Sequence, residues 1–395
     1  MCEPLLLKAA KSNGVYDFEK VFENSKRLFS ESDIVIGNLE TPMAGERAGY
    51  TDSLFSFNTP DSFADAVKKA GIDLVLTANN HCLDRDIDGL IRTMRVLDEK
   101  GIPFAGTSEP NTTRREATYL TVNGVKVAVI SYTYGTNYSS NHIQLSEEEQ
   151  KLVNLLRPQN ELYYIPKKSS NLSFHKRVIN KILLRIPEEK RFYVKKYLGM
   201  TVNIAHNDDN LNKETVEKYL SQLRADIEKA KEKADVVIFC PHIGGQFNSE
   251  PGVFSKYIFQ EAASYGCDAI VASHTHVVLK SEIINGIRCF YSLGNFSMSP
   301  NSVYLIRENL PDYGIAAHLY VDNKRIRRIG FSILKIVERK NSCLTVYPLD
   351  EYVKLISDEE EIRKIESQAE MIYSVVTGKT VSHFIVQKEY EIHAF

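Results

Sequence analysis

Short apolar runs recur along the chain, each closed by polar or turn-forming residues. "SDIVIGNLETP" is one such run, broken by Gly37 and stopped at Pro42. "IDLVLTANNHCLD" predicts a buried strand that runs into a polar loop, and "IPFAG" predicts another. Between them lie two segments with helical spacing. "TPDSFADAVKKAG" begins with Thr and Asp, places Phe63, Ala66 and Val67 on one face and stops at Gly71. "DGLIRTMRVLDEKG" predicts a helix ending at Gly101. This strand–helix rhythm predicts an α/β layer architecture.

Hairpin signals come next along the chain. "YLTVNGVKVAVISY" places Asn123-Gly124 between two alternating strands, "SEIINGIRCFYSLGNF" repeats the device at Asn285-Gly286, and "IAAHLYVDNKRIRRIGFSIL" turns around Asp322-Asn323. Parallel-type units combined with hairpins predict mixed sheets. Residues from about 138 to 232 carry few strand signals and predict a mostly helical, basic insertion. The expected organisation is one domain over 1–345 containing that insertion, then a helix and short strand over 346–395.

Composition narrows the function classes. The 395 residues are 43% hydrophobic and 25% charged, as in an ordinary globular protein. Lys plus Arg number 49 against 51 Asp plus Glu, a net charge of −2, so no overall field favours nucleic acid or membrane. No apolar run is long enough for a bilayer, and "MCEPLLLKAAKSNG" lacks the basic start and apolar centre of a secretory signal. The six cysteines show no CxxC spacing, and most sit in or beside apolar runs. A reducing compartment is therefore expected, with a cytoplasmic location or a peripheral one at the membrane.

Ligand-type residues collect where strands end. Asn38 and Glu40 follow "DIVIG"; Asn79, Asn80 and His81 follow "DLVLTA"; His242 follows "DVVIFC"; His274 and His276 follow "DAIVAS". In α/β sheets that edge is where loops converge on binding sites. Taken singly, each has a bland reading: a structural histidine, an Asn turn or a surface carboxylate. Together they gather four of the chain's 10 histidines. Imidazole with carboxylate and amide oxygen suits Zn, Mn, Fe or Ni better than Ca or Mg.

The stretches "GNLETP", "TANNHCLD", "PHIGG", "ASHTHV" and "YSLGNFSMS" occur in that order. They resemble the motif series of the bacterial poly-γ-glutamate capsule-synthesis (CapA-like) proteins, relatives of the calcineurin-like metallophosphoesterases. The resemblance covers roughly residues 1–135 and 232–300. It implies a four-layer α/β (α+β) sandwich, two mixed β-sheets face to face with helices outside. At one edge it implies two divalent transition-metal ions, Mn, Zn or Fe. Carried over by position, it makes Glu40, Asn80, His242, His274 and His276 metal ligands and His81 the catalytic histidine. Asn38, Asn79 and Asn295 become substrate contacts.

The activity implied is that of a metal-dependent hydrolase of the metallophosphatase type, phosphoesterase-like, in capsule or poly-γ-glutamate polymer biosynthesis. Two alternatives stand beside it: amide hydrolysis of polyglutamate, and a non-catalytic assembly component that binds polymer or partner proteins. The expected partners are an anionic polymer or phosphoester and other capsule-synthesis proteins, without nucleic acid.

Two departures from the series stand out. Its first motif is a strand ending in Gly-Asp, and "MCEPLLLKAA" matches the residues immediately after that Asp. The expectation is a start lying upstream, the alternative a chain poor in metal. In "PHIGGQFN", Ile243 and Gln246 replace the usual aromatic and acid. Within the insertion, Lys167, Lys168, Lys176, Arg177, Lys181, Arg185, Lys190, Arg191, Lys195 and Lys196 form a basic stretch. It reads as a solvated helical face or as a surface attracting a polyanion.

Overall fold

Three parallel strands open the sheet that carries the first predicted ligands. A computed structural model describes residues 1–53, 55–160, 207–302, 305–306, 309–338 and 343–392, with Ile186, Val194 and Ala205 besides. The basic stretch from Lys167 to Lys196 lies outside the described residues. After a small hairpin of β1 (Lys11–Ser12) and β2 (Val15–Tyr16) come β3 (Ile36–Asn38), β4 (Leu74–Leu76) and β5 (Phe104–Ala105), in the order β3-β4-β5. The helices Ser62–Lys69 and Asp86–Glu99 make the crossovers between them.

A six-stranded mixed sheet lies beside it. It contains β6 (Thr118–Val122), β7 (Val125–Thr133), β8 (Val236–His242), β9 (Ala269–Val271), β10 (Ser281–Ile284) and β11 (Ile287–Phe290), in the order β10-β11-β9-β8-β7-β6. The β6–β7 and β10–β11 pairs are the predicted hairpins; β7, β8, β9 and β11 run parallel. A third, antiparallel sheet is centred on β13 (Arg325–Val337), which pairs with β12 (Tyr313–Asp322), β14 (Thr345–Pro348) and β15 (Tyr390–Ile392).

Side-chain alternation stacks these pieces into four layers. Val127 and Val129 of β7 face Leu74, Leu76, Phe331 and Ile333 in an interior shared by the sheets. Ala128, Ile130 and Tyr132 face the other way, onto the helices Lys213–Lys233 and Val253–Ser264. Beyond β4 and β13, Val75, Leu334 and Ile336 turn outward onto the N-terminal helices with Phe22, Phe63 and Leu90. The result is an α/β sandwich with helices outside, in which the six-stranded sheet is mixed, the β3-β4-β5 sheet is parallel and the β13 sheet is antiparallel.

Two features refine the organisation read from the sequence. The end of the predicted insertion is the long helix Lys213–Lys233, N-capped by Asn212, which is the crossover from β7 to β8. Residues after 345 belong to the same sheet as β13, and Ile365, Ala369, Ile372 and Val376 of helix Glu359–Thr377 enter the interior between sheets. None of the described helices is long and apolar enough to cross a membrane.

Glu116 ties the crossover helix to the hairpin strands and yields a pH prediction. Its carboxylate lies 3.0 Å from both Lys229 and Lys233. Burial works against its charge, but the two lysines outweigh it and hold the carboxyl down at about 2. A carboxyl depressed on folding stabilises fully above its unfolded value and loses that contribution as pH falls toward 2. Both lysines are exposed by more than a third, so solvent screening reduces the effect to about 1 kcal/mol. Glu116→Gln should lower the urea midpoint at pH 7 and much less at pH 3. Equal deficits at both pH values would show that the ion pairs do not act.

Candidate metal centre

β3, β4, β8 and β9 deliver their C-terminal loops to one buried place. Glu40, two residues beyond β3, sends Oε1 to within 3.6 Å of His242 Nε2 and 3.9 Å of His276 Nε2. His242 closes β8, and its Nε2 is 2.7 Å from Asn80 Oδ1 and 3.0 Å from His274 Nδ1. Glu40, His242 and His274 each offer a ligand atom, all within 4.8 Å of one another. Glu40, Asn80, His81, His242, His274 and His276 are all buried.

The backbone at the two β9 histidines is unusual. His274 has φ +121° and His276 φ +60°, in a region that residues with a Cβ seldom adopt. Such strain persists only where surroundings over-determine it, and it clusters at functional sites. Here the loop is clamped by Thr275, fully buried, whose Oγ1 donates to Val277 O. Its methyl group fits against Gly244, where a Cβ would come within 2.5 Å of it. Gly244 of "PHIGG" therefore makes room for the histidine loop.

The hydrogen bonds of the cluster leave room for a cation. Buried polar atoms are nearly always partnered, yet Glu40 Oε1 and His274 Nε2 have no hydrogen-bond partner among the described residues. Burial pushes the His242 imidazole down to about 4, against the pull of Glu40, and pushes His274 well below its ordinary value. Burial also lowers His276. Burial opposes the Glu40 charge as well, but the imidazoles around it, His242 first, leave its carboxyl below the ordinary range. At neutral pH the cluster thus presents neutral imidazoles and an ionised carboxylate, the protonation states that transition-metal ligands require. A buried carboxylate, amide oxygen and imidazole set fits Zn, Mn or Fe.

The remaining predicted residues stand around this cluster. Asn295 Oδ1 accepts from His276 Nδ1 at 2.9 Å, and its Nδ2 donates to His276 O and Pro311 O. It therefore holds the His276 ring from behind, with Nε2 3.9 Å from Glu40 Oε1. Asn79 is fully buried; its amide donates to Leu39 O and accepts from the His81 backbone N–H, pinning the β3 and β4 loops together. Asn38 donates to Glu40 Oε2 at 3.2 Å and lies 3.4 Å from His242 Nδ1.

His81 sits at the mouth of the cluster. Its Nδ1 donates to Asp84 Oδ2 at 2.6 Å, and Phe57 covers its ring at 4.3 Å. Burial opposes a charge on His81, but Asp84, with Glu40 behind it, reverses this and raises its pKa. The cleft beside it is lined by Phe55, Phe57, Gln246, His276 and Met298, together with Glu3.

Sequence reasoning missed Asp84, Asn137, Tyr134 and Arg157. Asp84 had a readable signal, three residues after His81 in "NNHCLD". Tyr134 lies against His274 at 4.6 Å between ring centres, and the fully buried Arg157 backs Tyr134.

With this geometry in place, the relatives can be compared. Residues 1–299 match the family described as bacterial capsule synthesis protein, PGA_cap. The chain belongs to this family. Every predicted ligand, with His81 and Asn295, lies within the PGA_cap match, whereas β12–β15 lie beyond it. An uncharacterized protein, y4uA, of Sinorhizobium fredii is 26% identical over 74% of this chain and 64% of its own length. The PGA biosynthesis protein CapA of Bacillus subtilis is 21% identical over 70% of this chain and 56% of its own length. The capsule biosynthesis protein CapA of Bacillus anthracis is 22% identical over 71% and 54%. The chain thus matches less than two thirds of the length of each of these relatives.

Proposed function

We propose that this PGA_cap chain is a metal-dependent hydrolase of the metallophosphatase type, a phosphoesterase acting on an anionic polymer or its precursor in capsule synthesis. The observation that carries this reading is the buried donor cluster with Glu40 Oε1 and His274 Nε2 bare. An interior that leaves such atoms without hydrogen-bond partners is destabilised unless a cation takes them up.

Glu40, Asn80, His242, His274 and His276 would hold two divalent ions. When bound, the ions supply Lewis-acid polarisation of the scissile group and of the attacking water. The chain supplies the rest. His81 presents Nε2 toward the cleft because Asp84 holds its Nδ1 proton, so a proton at Nε2 can be passed to the leaving oxygen. Phe57 over the ring and the buried loops around it keep bulk water away from that atom. The proposed partners are the polymer and other capsule-synthesis proteins.

One observation favours amide hydrolysis as the second reading. Among the described residues lining the cleft there is no Lys or Arg, while Gln246 and Glu3 are present. That lining suits a neutral scissile group.

The test loads the purified chain with Mn2+ and assays p-nitrophenyl phosphate, a phosphodiester analogue and poly-γ-glutamate side by side. Metal-dependent release from a phosphoester supports the first reading, and shortening of the polyglutamate supports the second. His81→Ala should lower turnover about a hundredfold or more while metal content stays at the wild-type value. Stoichiometric metal without turnover on any of these would point to the non-catalytic assembly role instead.

A further inference from the structure

We infer that Asn137 is a positioning residue for the metal centre: its side-chain amide fixes which end of the Asn80 amide faces the ligand cluster. The inference rests on the metal reading above.

An asparagine side chain has two ends of nearly equal size, and only the oxygen can ligate a metal. Nothing in the shape of Asn80 decides between them; its hydrogen bonds must. Asn80 Oδ1 points to the His242 side, 2.7 Å from Nε2, and Asn80 Nδ2 donates to Asn137 Oδ1 at 3.0 Å. Among the described residues, Asn137 is the acceptor that holds the N–H end away from Glu40 and His274.

The surroundings of Asn137 settle its own orientation. Its Nδ2 lies 3.3 Å from His81 Nδ1, whose proton goes to Asp84 at 2.6 Å, so no hydrogen bond joins the two and the contact with Asn80 decides. Turning the Asn137 amide over would set its Nδ2 against Asn80 Nδ2, two donors face to face. The observed orientation keeps the 3.0 Å bond and avoids that clash.

The backbone also favours asparagine here. Asn137 has φ +53°, a left-handed conformation that Asn tolerates better than other residues with a Cβ. Its carbonyl accepts from Ser140 N–H and Asn141 N–H, which starts the short helix Tyr138–Asn141 and fixes the backbone independently of the side chain. The position thus combines a left-handed turn with an acceptor aimed at a metal-ligating amide. No motif of the chain singled it out, because it lies in the loop after β7, remote from Asn80 in sequence.

Two variants separate these demands. Asn137→Gly keeps the left-handed backbone and removes the acceptor; Asn137→Asp keeps the acceptor oxygen. The full chain of each is titrated with Mn2+ and with Zn2+ by calorimetry, and its thermal unfolding is followed without metal. Asn137→Gly should bind about 10–100-fold more weakly, Asn137→Asp should bind close to wild type, and the metal-free unfolding midpoints should stay together. Because the effect runs through Asn80, adding Asn137→Gly to Asn80→Ala should weaken binding no further. Wild-type affinity in Asn137→Gly, or losses that add in the double variant, would overturn the positioning role. A wild-type chain that takes up neither metal would overturn the metal reading itself, and this inference with it.

Discussion

Replacing both His274 and His276 by alanine should reduce bound metal to background while leaving the helical content unchanged. The loop that carries them begins after β9 has ended, so neither ring belongs to a helix or a strand. His274 Nε2 has no hydrogen-bond partner among the described residues, so its loss frees the interior of an unsatisfied atom, which offsets the packing lost against Tyr134. His276 is held by Asn295 with Nε2 on the Glu40 side, and alanine leaves Glu40 with His242 and Asn80 alone. Two neutral imidazoles fewer at a buried centre should weaken a transition-metal ion past any useful concentration. The measurement is elemental analysis of both proteins after loading with Mn2+ and desalting, together with thermal unfolding. A ligand present at a hundred times its dissociation constant stabilises the folded state by about 2.7 kcal/mol. Wild type should therefore gain several degrees with metal and the double variant none. Full stoichiometry or a retained metal-induced shift in the variant would place the centre elsewhere.

How far the centre could be read from the sequence depends on what fixes each residue's role. The strand ends were legible because β4 and β8 are continuous apolar runs bounded by polar residues, so Asn80, His81 and His242 fell at their tips without any knowledge of contacts. The hairpins were legible because Asn123-Gly124 and Asn285-Gly286 both adopt the positive φ angles that a tight hairpin turn needs. The third turn lies one residue further on, at Asn323-Lys324, since a lysine there gives no signal of its left-handed backbone. The roles that escaped were those set by a side chain's second partner. Asn295 and Asn79 are amides with two ends, and only the fold shows that His276 and Leu39 each take one of them. The pairing of the C-terminal extension was not legible because β15 is three residues long, too short for any periodicity to show that it completes the β13 sheet. Arg157 was invisible for the opposite reason: an arginine in a polar stretch predicts a solvated side chain, and the fold buries it completely.

That buried arginine gives the largest stability effect expected in the molecule. Arg157 donates through Nε to Tyr134 O at 3.2 Å and through Nη1 to Asn207 O and Asn210 O at 3.2 and 3.3 Å. Its guanidinium lies 4.4 Å from the Phe254 ring centre and 5.4 Å from that of Tyr134. Its charge also bears on Asp208, a buried carboxylate that accepts from Gly252 N–H, Ser255 N–H and Ser255 Oγ–H and so caps the helix Val253–Ser264. Arg157→Met fills a similar space but leaves three carbonyls and a buried anion without their cation, which should cost about 3–5 kcal/mol. Burial already raises the Asp208 carboxyl above its ordinary value even with Arg157 present. Removing the cation raises it further, so the folded variant binds more protons than its unfolded chain over a wider window. Stability must then fall as pH rises through that window, from the unfolded value near 4 upward. Urea unfolding of wild type and Arg157→Met at pH 5 and pH 8 reads both effects at once: a large deficit at either pH, greater at pH 8. A deficit independent of pH would mean that Arg157 acts through its carbonyl partners alone. Because the Tyr134 ring lies between Arg157 and His274, the same variant should also bind Mn2+ more weakly than wild type. Unchanged affinity beside a full loss of stability would separate the scaffold from the centre it supports.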